Sequence, residues 1–171
     1  VVDVVSTAGA LTLATGAGAD DVTIEATSAS LALTTGDAAD TVLIVSTGGT
    51  SSVDLGNGND AISIRSLGAS STVSGGLGDD TVSVSSDAPT NAGTLNGLSG
   101  MLIVNGGGGN DSLLLSDAGE TADGSGMLTG STLTGFGTAG ITYGTFESLA
   151  LTLGSGADAL TISSTHAGTT N

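Results

Sequence analysis

The chain has 171 residues, with 17 Asp and Glu against a single Lys or Arg, a formal net charge of −16. That balance excludes a nucleic-acid binder and a protein held on anionic lipid, because both need basic side chains and Arg65 is the only Lys or Arg. No apolar run reaches the roughly 18 residues of a membrane-spanning helix, and without a basic n-region the sequence reads as a mature segment or a fragment. With 30 glycines, one proline, 2% aromatics and no cysteine, the core must be built from Val, Ile, Leu and Ala, and no disulfide can fasten it.

Taken in chain order, the first half aligns without gaps in rows of 20 residues. Val2 and Val4 open the chain in mid-repeat. Asp20, Asp40, Asp60 and Asp80 fall in one column, with Gly16, Gly36, Gly56 and Gly76 four positions earlier and Gly18, Ala38, Gly58 and Gly78 two positions earlier. Before each turn stand Leu11 and Leu13, Leu31 and Leu33, Ser51 and Val53, and Ser71 and Val73; after it stand Val22 and Ile24, Val42 and Ile44, Ile62 and Ile64, and Val82 and Val84. Two stretches of period-two alternation per row predict two short strands per coil, each burying one face. Rows in constant phase predict an all-β parallel β-solenoid (a β-roll or β-helix-like fold) of about 8–9 coils, a rod on the order of 40 Å long at 4.8 Å per coil. The glycine density and the lack of i, i+3, i+4 spacing exclude helices.

The regular repeats span 1–86, and 87–100 is expected to be an inserted loop. Residues 101–117 resume the frame with Leu102, Val104, Gly107, Gly109 and Asp111. Residues 118–148 lack a column aspartate and predict one irregular coil carrying all three aromatics, Phe136, Tyr143 and Phe146, as a local core seal or as a stacking surface for a sugar. Residues 149–171 are expected to hold a sixth copy, Gly154, Gly156 and Asp158, preceded by Leu149 and Leu151 in the upstream strand. All segments belong to one continuous solenoid.

A Gly-x-Gly-x-Asp turn carries a mechanism: the glycines permit positive φ and leave carbonyl oxygens uncovered, and the aspartate adds a carboxylate to the same concavity. Calcium takes six to eight such oxygens at about 2.3–2.6 Å with tolerant geometry. Column aspartates about 5 Å apart repel by roughly 1 kcal/mol in water and by several at an effective dielectric near 20, so an unneutralised file opposes its own stacking.

These turns resemble the RTX or hemolysin-type calcium-binding repeats, whose nonapeptide is GGxGxDxUx with U a large apolar residue. Residues 75–83 (GGLGDDTVS) and 106–114 (GGGGNDSLL) match in full; the copies at Asp20, Asp40, Asp60 and Asp158 match from the second glycine onward, with Ala38 in place of a glycine. The resemblance implies a β-roll in which the aspartates and the carbonyls of Gly16, Gly18, Gly36, Gly56, Gly58, Gly76, Gly78, Gly107, Gly109, Gly154 and Gly156 hold several Ca²⁺ ions between coils. The family's usual coil binds on both edges; one motif per 20 residues implies one ion column on one edge.

Catalysis finds little: Arg65, His166 and Tyr143 fall in different coils and phases, Arg65 is expected to face solvent or a neighbouring acid, and His166 to sit in an exposed turn. No enzyme is expected. An ice face needs a repeating outward array, whereas the turn positions read Ala17 and Ala19, Asp37 and Ala39, Asn57 and Asn59, Leu77 and Asp79. The expected function is structural, a calcium-stabilised repeat segment of a large extracellular or cell-surface protein such as a fibre, adhesin stalk or surface layer; the alternative is a glycan- or ice-binding module. Expected partners are further repeats of the same chain or end-to-end self-association, and possible glycans, without nucleic acid or membrane insertion.

Overall fold

A computed structural model describes residues 1–170; Asn171, the last residue of the expected 149–171 segment, lies outside the described residues. The regular rows form β1 (Val2–Val4), β2 (Leu11–Ala17), β3 (Asp21–Ile24), β4 (Leu31–Asp37), β5 (Thr41–Ile44), β6 (Ser51–Asn57), β7 (Ala61–Ile64), β8 (Ser71–Leu77) and β9 (Thr81–Val84). There follow β10 (Leu102–Gly108), β11 (Ser112–Ser116), β12 (Ser125–Leu128), β13 (Thr132–Gly135), β14 (Thr138–Gly144), β15 (Ser148–Thr152), β16 (Ala159–Ile162) and β17 (Thr169–Thr170). No helix occurs among the described residues, so none is long and apolar enough to cross a membrane.

The strands sort into two sheets, as a solenoid requires. One has eight strands in the order β1-β3-β5-β7-β9-β11-β15-β17, all parallel; the other has nine in the order β16-β12-β13-β14-β10-β8-β6-β4-β2. Register steps by 20 residues through the regular coils, with Leu11 opposite Leu31 and Val22 opposite Val42. Each strand's alternate residues point between the sheets, so Leu31, Leu33, Val42, Ile44, Ile62, Ile64, Val82 and Val84 are buried in one apolar core. β-Branched side chains suit this pleated, one-face-buried setting. Each coil also makes a third contact line beyond its two strands, a file of single parallel bridges through Thr7, Thr27, Thr47, Leu67 and Leu98 on the return from the eight-stranded to the nine-stranded sheet.

Both irregular segments lie on that return. The 87–100 insertion does not hang free: Leu95 and Leu98 are buried in the core, and Leu98 takes the place in register above Leu67. Arg65 donates from Nε to the Ala88 carbonyl at 2.7 Å, so its partner is a backbone carbonyl of the insertion instead of an acid. Register resumes past the loop, Ser71 opposite Leu102 and Val82 opposite Leu113. The second excursion, between β11 and β14, contains the antiparallel pairs β12·β13 and β13·β14. Phe136, Tyr143 and Phe146 are buried in the same core cluster as the aliphatics, and the Tyr143 hydroxyl donates to the Thr129 carbonyl. The rings act as a seal within the core.

One placement differs from the expected frame. Leu149 and Leu151 do not precede a turn equivalent to those of the first coils; they pair with Leu113 and Leu115 and stand in the position of Val22 and Ile24. β16 lies instead at the far edge of the nine-stranded sheet, against β12. The final motif copy is therefore half a coil out of phase with the other five.

Candidate metal centre

The column turns join each strand of the nine-stranded sheet to the next strand of the eight-stranded sheet. In the first five copies all nine motif glycines take positive φ, between 95° and 149°. Their role is steric as well as conformational. A Cβ on Gly36, Gly56, Gly76 or Gly107 would come within 1.8–2.1 Å of the carbonyl oxygen of the equivalent glycine one coil earlier. The coils thus stack glycine on carbonyl, and those carbonyl oxygens face along the rod axis into the next turn. Ala38 holds φ at 83° where its equivalents are glycine.

This stacking carries the aspartates inward. Asp40, Asp60, Asp80 and Asp111 are 2%, 2%, 1% and 0% exposed. Each carboxylate accepts, through Oδ1, the backbone N–H of the column aspartate one coil earlier: Asp20 to Asp40 at 2.7 Å, Asp40 to Asp60 at 2.7 Å, Asp60 to Asp80 at 2.9 Å and Asp80 to Asp111 at 2.8 Å. The second oxygens, Oδ2 of Asp40, Asp60, Asp80 and Asp111, are buried with no hydrogen-bond partner. A separate, exposed ladder runs outside the turn in the reverse sense, with the Asp79 N–H donating to Asn59 Oδ1 and the Asn110 N–H to Asp79 Oδ1.

The ladder ends on a residue the repeat frame does not contain. The Asp111 N–H donates to Glu147 Oε2 at 2.7 Å, so Glu147 occupies the sixth column position. Its turn is shorter: Asn105 pairs with Gly144, and only two residues separate Gly144 from Glu147 where five separate Asn105 from Asp111. Thr145, at φ 58°, turns the chain where the others use glycine. A lone acid immediately before an alternating strand (Leu149, Leu151) was the available signal, hidden by the missing glycines.

Asp158 stands apart from this file. Its turn, like residues 117–124, runs from the eight-stranded to the nine-stranded sheet, which puts both on the opposite edge of the rod. There Asp158 Oδ1 accepts the Gly124 N–H at 2.9 Å, and Asp123 Oδ1 accepts the Ala157 N–H at 2.8 Å. Gly154 and Gly156 do not share the positive φ of the other motif glycines. The same edge carries Asp117, whose carboxyl is raised by burial, its Oδ1 taking the Leu95 N–H and Glu120 and Asp158 adding like charge.

The electrostatics of the main column follow from its burial. Desolvation raises the carboxyls of Asp60, Asp80 and Asp111, the N–H from the preceding coil opposes it, and neighbouring carboxylates push the same way as burial. The effect is largest at Asp80, which is pushed up to about 6 with Asp60, Asp111 and Asp79 around it. A buried carboxylate oxygen with no donor has to be neutralised by a proton or a cation. Hard oxygens of this kind are the ligands that calcium, the ion the resemblance implies, takes six to eight at a time; each coil offers one unpartnered carboxylate oxygen, and no three acids among the described residues gather as a metal-holding group.

Two residues assigned to different coils meet near the end of the column. The rings of Tyr143 and His166 lie edge to face with centroids 6.3 Å apart, beside Glu147 in a cleft of about 310 Å³. Tyr143 offers no exposed ring face there, being 3% exposed.

Fold and site together define a parallel β-solenoid with an internal carboxylate ladder along one edge. The chain matches no family model, no curated protein and no solved structure.

Proposed function

We infer that this chain is a structural, calcium-stabilised segment of an extracellular or cell-surface assembly, such as a fibre, an adhesin stalk or a surface layer. The observation that carries this reading is the file of buried, partnerless carboxylate oxygens in a protein whose only Lys or Arg is Arg65, bonded to a carbonyl away from the column. Divalent cations in that file convert repulsion between coils into cohesion. The millimolar calcium outside cells suits a site of modest affinity: a ligand bound only by the folded state adds about 2.7 kcal/mol at 100 times its Kd. Rod shape, repeating coils and buried aromatics support a spacer more than a catalyst.

The test is circular dichroism of the purified chain with EDTA and with added calcium, together with elemental analysis. β-Structure lost on chelation and restored by calcium, with calcium in the metal count, is the expected result. A spectrum indifferent to EDTA and a chain free of alkaline-earth metal after dialysis against calcium would overturn the reading.

A further inference from the structure

The return edge carries a second line of buried oxygens, separate from the carboxylates. The file of single bridges stacks Thr7, Thr27 and Thr47 at the corner that leads into the nine-stranded sheet. Their Oγ1 atoms are buried without a hydrogen-bonding partner, and so is Ser51 Oγ, across the same corner from Thr47. Thr27, Thr47 and Ser51 are 4%, 1% and 5% exposed, whereas Thr7, in the end coil, is half-buried.

Two inward positions line this corner in each coil, and their pairing changes along the rod: Thr7 with Leu11, Thr27 with Leu31, Thr47 with Ser51, Leu67 with Ser71 and Leu98 with Leu102. Every pair but one includes a leucine. At Thr47 and Ser51 two small hydroxyl side chains stand where the coil before has a hydroxyl and an isobutyl group, so less side-chain volume fills the corner. The backbone does not draw in to compensate: Ser51 keeps its register between Leu31 and Ser71, and Thr47 between Thr27 and Leu67. Ser71 has the same side chain as Ser51 but another use for it, donating to the Ala69 carbonyl at 3.2 Å. Ser51 makes no such bond to its own corner.

A hydroxyl buried without a partner forfeits its hydration, and two of them at one thinly filled corner call for a small group that both donates and accepts. Water is that group. We propose that the Thr47–Ser51 corner binds an internal water molecule, held by the Thr47 and Ser51 hydroxyls with the Thr27 hydroxyl of the preceding coil as third partner. The water fills what leucine fills in the other coils and fastens the return edge from inside where its apolar packing is thinnest. A cation is the wrong occupant, because all three ligands are neutral hydroxyls that leave its charge uncompensated. The site is independent of the carboxylate file and of calcium.

The test is a crystal structure of the full chain, with urea unfolding of the unaltered protein and of Thr47→Val in one buffer, and a second structure of Ser51→Leu. A water peak within hydrogen-bonding distance of both Thr47 Oγ1 and Ser51 Oγ is expected in the unaltered chain. Valine keeps the shape of threonine and removes its hydroxyl, which strands the water, so Thr47→Val is expected to lower the urea midpoint. Ser51→Leu reproduces the pairing of Thr27 with Leu31 and is expected to lose the peak while keeping the β-structure. A dry corner in clear density of the unaltered chain would overturn the proposal. An unchanged or raised midpoint in Thr47→Val would do the same, since deleting a hydroxyl that holds nothing costs nothing. Persistence of the peak in Ser51→Leu would show that the water sits elsewhere. If Thr47→Val does not fold, the density of the unaltered chain decides.

Discussion

Ala38 keeps a backbone conformation that Gly18, Gly58, Gly78 and Gly109 adopt in the other turns. An L-residue in the left-handed region costs about 1–2 kcal/mol, and glycine gives back part of that as unfolded-state entropy. Ala38→Gly is therefore expected to stabilise the folded chain by about 0.5–1 kcal/mol, read as a shift in the urea midpoint. Gly76→Ala is the opposite case. Its φ is 108° and its new Cβ would lie 1.8 Å from the Gly56 carbonyl oxygen, so a loss of at least about 2 kcal/mol is expected in the same experiment. Asp80 supplies a pH dependence. Its folded carboxyl is raised to about 6 from 3.8, so the folded chain holds that proton more tightly than the unfolded one. The resulting stabilisation is fully present below the unfolded value and is lost as pH rises through about 6. Cation-free protein is expected to resist urea better near pH 4 than near pH 7.5, and Asp80→Asn to flatten that profile.

Among the elements, the regular strands were legible because alternation and a gapless 20-residue period agree at every row, from Val2 opposite Val22 to Ile64 opposite Val84. The bridge file through Thr7, Thr27 and Thr47 was not, since single contacts of polar residues leave no hydrophobic period. The final motif misled for a different reason. Gly154, Gly156 and Asp158 have the right spacing, but spacing is blind to which sheet a strand joins, and the excursion between β11 and β14 shifts the chain by half a coil. Glu147 was missed because its turn replaces the glycines by Thr145 and its acid is longer by one carbon. A polar tie that composition does not reveal joins β14 to the turn between β12 and β13, the Tyr143 hydroxyl donating to the Thr129 carbonyl. Removing it in Tyr143→Phe keeps the ring in the core and is expected to lower stability by about 1 kcal/mol, measured by thermal unfolding.

For the molecule as a whole, the two edges of the rod obey different rules. From Asp20 to Asp111 every column turn has the same length and sets amide on carboxylate, so a single added residue in one of these turns moves its acid off its donor; the last turn, at Glu147, is three residues shorter and reaches its donor with a longer acid. On the return edge the chain already carries 11 extra residues before β10, where Leu102 stands opposite Ser71, and 19 before β14, where Ile141 stands opposite Leu102, relative to the 20-residue step, while the ladder bonds stay at 2.8 and 2.7 Å. One glycine inserted after Gly58 is expected to abolish cooperative urea unfolding, whereas one inserted after Asn91, in the 87–100 loop, is expected to leave the midpoint nearly unchanged. One margin of the rod acts as a ruler and the other as an open hem. Foreign peptide stitched into the hem would be carried outward at a fixed height along the axis, so a rod of this design can acquire new surface features while its axial rise stays the same.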